Sequence, residues 1–114
     1  GAFATRIAYV TEVKQRDGSR RYSLQVADAD GYNPRPILSS RQPLMSPSWS
    51  PDGKRILFGY SKARGRDLLL YDVDSGNVTV LLDDAADSRN AAFSPDGKRI
   101  YFSWDKTGIF NIYA

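Results

Sequence analysis

Apolar positions along this chain recur in short runs rather than at helical spacing. Arg6-Ile7-Ala8-Tyr9-Val10, Arg55-Ile56-Leu57-Phe58 and Arg99-Ile100-Tyr101-Phe102 each place an arginine before an unbroken apolar run. Runs this short, apolar on both faces, predict strands covered from both sides. Tyr22-Ser23-Leu24-Gln25-Val26-Ala27-Asp28 alternates polar and apolar and predicts a strand, with Leu68-Leu69-Leu70-Tyr71-Asp72 as its counterpart. Pro36-Ile37-Leu38 and Val78-Thr79-Val80-Leu81-Leu82 predict a further pair. Prolines at 34 and 36 suit an outer edge strand, where a missing N–H does no harm. Met45 to Trp49 and Asn90 to Phe93 predict two inner strands, and Gly108 to Tyr113 a closing one. No stretch has helical periodicity.

The strands repeat. Aligning Ser50-Pro51-Asp52-Gly53 with Ser94-Pro95-Asp96-Gly97 gives a period of 44 residues and lands Trp49 on Phe93. The same offset carries Asp28 to Asp72, Asp30 to Asp74 and Asn33 to Asn77. Pro and Asp suit the early positions of a tight turn and Gly supplies positive φ at its end. Asp17-Gly18 marks another turn, inside a polar hairpin connection from Lys14 to Arg21. A period in the forties, with an aromatic, a turn and an apolar run per unit, is the signature of propeller blades. The fold expected is therefore all-β: a partial β-propeller of four-stranded antiparallel blades, about ten strands and no helices. The first blade, residues 1–40, lacks an inner strand; the second, 45–83, is complete; the third, 89–114, lacks an outer strand. A ring needs at least about four blades. Open blade faces would strand apolar side chains such as Ile7, Tyr9, Ile100 and Phe102. The expectation is a homo-oligomer, most simply a dimer, with contacts near residues 1–10 and 100–114 and with Arg6 and Arg99 near the seam.

Composition narrows the function. A chain of 114 residues, 41% hydrophobic and 25% charged, is one ordinary globular domain. No apolar run is long enough to span a membrane as a helix. No signal peptide opens the chain, so it is read as a mature form, an excised piece or a cytosolic protein. Without His or Cys, Ser-His-Asp and Cys-His catalysis and ordinary zinc sites are excluded. Glu12 is the single Glu. Asp17, Asp30, Asp52, Asp74 and Asp96 stand at turns, where Asp bonds the local backbone. Asp83, Asp84 and Asp87 are weak candidates for calcium, weighed against a solvated acidic loop. No other cofactor is expected. Trp49 and Phe93 could stack a ligand, but at repeat-equivalent positions they read as blade core. Tyr32 and Tyr60 are the tyrosines expected at the surface.

The net charge of +3 does not call for nucleic acid, and its distribution says more. The loops joining second to third strands hold Lys14, Arg16, Arg20, Arg21, Lys62, Arg64, Arg66 and Lys106, opposed by Glu12, Asp17, Asp67 and Asp105. One end of the propeller is thus a basic rim, serving either solubility and edge protection or the docking of an acidic partner. The partner-binding candidates are Lys14, Arg16, Arg20, Arg21, Lys62, Arg64 and Arg66. No interleaving of aromatic and basic residues supports nucleic acid.

Gly1-Ala2-Phe3, Thr5-Arg6-Ile7-Ala8-Tyr9-Val10, Asp28-Ala29-Asp30-Gly31-Tyr32-Asn33 and the stretch from Gln42 to Gly53 resemble the opening of the propeller in the TolB family. From Lys62 onward the resemblance is to the wider class of TolB-like propeller repeats, the PD40 type. It implies a periplasmic protein-interaction scaffold of the Tol-Pal envelope system, with a Pal-like partner, no enzymatic activity and no membrane insertion. The family's N-terminal domain and more than half of its ring have no counterpart here. Its Pal-binding surface lies mostly in those other blades, so no Pal contact is carried over. Two alternatives stand beside this reading: an excised or engineered propeller fragment whose main property is self-assembly, and the propeller part of a larger hydrolase.

Overall fold

The computed structural model describes residues 6–63, 65–83, 91–102 and 108–111. Among them are ten strands and no helix. β1 (Arg6–Lys14), β2 (Arg20–Asp28) and β3 (Arg35–Ser40) form sheet I; β4 (Leu44–Trp49), β5 (Arg55–Lys62), β6 (Gly65–Asp72) and β7 (Val78–Leu82) form sheet II. β8 (Ala92–Phe93), β9 (Arg99–Phe102) and β10 (Gly108–Asn111) form sheet III. Every pairing is antiparallel between chain neighbours. The molecule is an all-β partial propeller, as its repeat predicts.

The strands run further than their apolar stretches. Arg6–Lys14 pairs with Arg20–Asp28 along its whole length, so the connection shrinks to five residues, Gln15 to Ser19. Hairpin hydrogen bonds need no burial, and the polar residues beyond Val10 extend the ladder into solvent.

The Ser-Pro-Asp-Gly turns are built identically in both repeats. The Gly53 N–H donates to the Ser50 carbonyl at 2.9 Å, and Gly97 does the same to Ser94 at 2.9 Å. Their φ values are 72° and 73°, in the left-handed region. The Ser50 hydroxyl donates to Asp52 Oδ1 at 2.6 Å and accepts from the Arg55 amide at 2.9 Å. Asp52 Oδ1 also accepts from the Lys54 amide at 3.0 Å. Ser94, Asp96, Lys98 and Arg99 repeat this network at 2.6, 3.0 and 3.0 Å. Both serines are buried. Asp52 and Asp96 are thus turn residues.

Sheet II has two apolar faces, and its alternation assigns them. Ile56, Phe58, Leu69 and Tyr71 face sheet I and pack with Leu24, Val26 and Leu44. Leu57, Leu68 and Leu70 face sheet III and pack with Ile100. Full burial of Phe58, Ile56, Leu57, Leu24 and Ile100 stabilises these seams by about 1.5–3 kcal/mol per side chain. Trp49 packs into the first seam and Phe93 into the second, as blade core.

Two expectations need correction. Ile100 is not on an open face: it is fully buried against sheet II, and Tyr101 points outward, 43% exposed. Arg6 is engaged within the molecule. Its Nη2 donates to the Gly53 carbonyl at 2.8 Å and its guanidinium stacks over Trp49 at 4.6 Å, which ties sheet I to sheet II. Tyr60 shares a face with Phe58 and is therefore half-buried in the same seam, whereas Tyr32 is 71% exposed. The Phe102 side chain lies outside the described residues.

Candidate functional site

Turns and hairpins segregate to opposite ends of the sheets. The Ser-Pro-Asp-Gly turns and the turns after β2 and β6 lie at one end; the β1–β2 and β5–β6 hairpins and the β3–β4 link lie at the other. At the first end, carboxylates are held by neighbouring backbone and side-chain donors. Asp72 accepts from the Ser75 and Asp74 amides at 2.9 and 3.0 Å, and the Ser75 amide foremost holds its carboxyl below the usual range. Asp28 accepts from the Asn33 side chain at 3.0 Å.

The other end carries the candidate cations, and the structure divides them into two groups. Lys14, Arg16, Arg20 and Arg21 belong to the β1–β2 hairpin and are all exposed. Asp17 is consumed by its own turn. It accepts from the Ser19 hydroxyl at 2.6 Å and amide at 2.9 Å. Those two bonds, and more weakly the charge of Arg41, hold its carboxyl below the ordinary value. Arg20 donates to Glu12 at 2.7 Å, with both side chains about half exposed, so the pair contributes little stability and mainly orients Arg20.

Arg41 is the cation that sequence reasoning misses. It sits in the short link between β3 and β4 and faces the hairpin across a shallow groove of about 640 Å³, lined by Arg16, Asp17, Ser19, Arg20, Arg21 and Arg41 among others. A signal for it exists in the repeat: links from outer to inner strands open on the same end as the β1–β2 hairpin, so their charges belong to the same rim.

Lys62 and Arg66 form the second group, on the β5–β6 hairpin. Lys62 does not stand ready for a partner. It bridges Asp67, at 3.0 Å, and Asp83, 21 residues further on, and these two carboxylates raise its pKa. Arg66, with Asp67, lines a separate cavity of about 400 Å³ beside Ser46, Leu57, Leu68 and Ala91. Arg64 lies outside the described residues. Of the calcium candidates, Asp83 is thus occupied by an ammonium; Asp84 and Asp87 lie outside the described residues. No cluster of three His, Cys, Asp or Glu exists among the described residues. No helix among them is long and apolar enough to cross a membrane.

Comparison with known proteins agrees with this architecture. The family model of the TolB beta propeller domain, PD40, matches residues 1–114. Tol-Pal system proteins TolB from Thioalkalivibrio sulfidiphilus and Methylococcus capsulatus are 60% and 59% identical to this chain over 58 residues. That stretch is 51% of this chain and only 13% of each relative. The crystal structure of TolB from Acinetobacter baumannii superposes on 96% of the chain with a TM-score of 0.76 and 36% identity, and the match covers 28% of that protein.

Proposed function

Because this chain belongs to the TolB beta propeller (PD40) family, we propose that it acts as a non-enzymatic protein-interaction scaffold of the Tol-Pal cell-envelope system. The observation that carries this reading is the family match over residues 1–114, on sheets joined by two apolar seams that leave one end's cations to solvent. Rigid sheets hold loops in fixed relation, which is what a docking surface needs. The relatives named above are Tol-Pal proteins, which favours a Pal-like partner and a periplasmic location over the hydrolase alternative. The rim residues proposed to meet a partner are Lys14, Arg16, Arg20, Arg21 and Arg66. Isothermal titration with the soluble domain of a Pal-type lipoprotein tests the reading. Saturable binding, weakened by charge reversal on the rim, is expected; no heat at high micromolar concentration overturns it.

We also propose that the chain self-associates, with residues 1–40, 45–83 and 89–114 as its three blades. Ile7 and Val13 on the outer face of sheet I are 38% and 54% exposed, and Tyr101 on the outer face of sheet III is 43% exposed, which supports the reading. In a longer chain, neighbouring blades would cover the same faces; between two copies of this one, a two-fold axis does so. Light scattering across a concentration series is expected to give the mass of a dimer. A monomer throughout overturns the proposal.

A further inference from the structure

We propose that the groove between the β1–β2 hairpin and the β3–β4 link is a receptor for an acidic peptide segment, whose carboxylates are taken by Arg16, Arg21 and Arg41. The inference rests on the scaffold reading above and adds the chemistry of what the scaffold holds.

The first argument is the accounting of charge. Glu12 engages Arg20 at 2.7 Å, and Asp17 is turned onto the Ser19 hydroxyl and amide. Glu12 is thus spent on Arg20, while Asp17 keeps its charge and acts on Arg41 only at longer range; Arg16, Arg21 and Arg41 make no salt bridge among the described residues. Three exposed guanidinium groups concentrated on one groove repel one another, and an anionic occupant removes that repulsion.

The second argument is convergence. Arg16 and Arg21 come from the hairpin and Arg41 from a link 20 residues beyond Arg21, and all three line one concavity of about 640 Å³. A guanidinium presents a planar fork that binds a carboxylate through two parallel N–H donors. Forks converging from two separate segments suit successive acidic side chains on an extended peptide.

The choice of occupant follows from what lines the groove. No aromatic ring lines it among the described residues, so bases have nothing to stack on. Its concave form sets the cations around a hollow, whereas a bilayer of anionic lipid meets a flat or convex face. Glu12 and Asp17 interrupt the positive field, which penalises a dense polyphosphate more than spaced carboxylates.

Fluorescence anisotropy with a labelled Asp/Glu-rich peptide tests the assignment. Saturable binding is expected that weakens as salt rises and falls at least about tenfold in R21E/R41E, a loss of about 1.4 kcal/mol. Lys98→Glu, in the Ser-Pro-Asp-Gly turn at the opposite end, is expected to leave binding unchanged. Thermal melts by circular dichroism confirm that each variant is folded; an R21Q/R41Q pair replaces any variant that is not. Absence of binding, equal binding by R21E/R41E, or tighter capture by phosphatidylglycerol vesicles or inorganic tripolyphosphate overturns the proposal. The same variants titrated with the Pal-type domain separate the two readings. Peptide binding without any Pal-type binding sinks the Pal-like partner alone, whereas Pal-type binding with no peptide binding sinks the groove alone.

Discussion

Replacing Gly53 tests the turn on which each repeat is built. Gly53 has φ of 72°, and a Cβ placed there would lie 3.5 Å from Arg6 Nη2, an ordinary contact. Space is therefore not what selects glycine; the backbone is. Holding a non-glycine residue in the left-handed region costs about 1–3 kcal/mol, and a β-branched residue falls at the top of that range. Asn33 and Ser46 already adopt φ of 54° and 52° in this chain, so small polar side chains are accepted in this conformation. Gly53→Val is thus expected to lose about 3 kcal/mol and Gly53→Asn less than about 1 kcal/mol, read as midpoint shifts in urea at constant slope. Gly97 has φ of 73°, and a Cβ there would meet Pro51 Cδ at 3.5 Å, so it is expected to respond in the same order. Equal midpoints for Gly53→Val and the parent, or Asn as damaging as Val, would refute the turn assignment.

Other perturbations follow from the same structure. Phe58→Ala empties the seam between sheets I and II and is expected to cost about 3–5 kcal/mol in urea denaturation, while Phe58→Leu costs less than half as much. Ser50→Ala removes the acceptor of the Arg55 amide, at 2.9 Å in a buried position, for an expected loss of about 1–3 kcal/mol by the same assay. Asp52 and Asp96 have carboxyls held below the usual value of 3.8, chiefly by the Ser50 and Ser94 hydroxyls. A depressed folded-state pKa gives stability that is present above the unfolded value and lost as pH falls through the folded one. Stability is therefore expected to hold above pH 3.8 and to decline on acidification below it, with a shallower decline in S50A/S94A, read by acid titration of the circular dichroism signal. Purified chain is expected to show no turnover of peptide or ester substrates, since 114 residues without His or Cys provide no ordinary base beside a nucleophile; turnover abolished by substituting one of its Ser or Asp residues would contradict this.

What the amino-acid sequence determined by itself is everything whose partners lie close along the chain. The Ser-Pro-Asp-Gly turns close through bonds spanning two to five residues, so composition and spacing suffice to specify them twice over. The two apolar faces of β5 were equally legible, because side chains alternate across a strand and its run is apolar throughout, whereas β6 reads only as the counterpart of an alternating strand. Tertiary structure alone decided the fate of the charges. The seven candidate cations look alike in a linear count, yet Lys62 is tied to Asp83 across 21 residues and Arg20 to Glu12 across the hairpin, while Arg41 joins Arg16 and Arg21 from another link. Arg6, a strand-opening residue like Arg55 and Arg99, reaches a carbonyl 47 residues away and stacks on Trp49. Charge adds along a sequence, but pairing depends on distance in space, and no period in the chain encodes which long side chain meets which carboxylate.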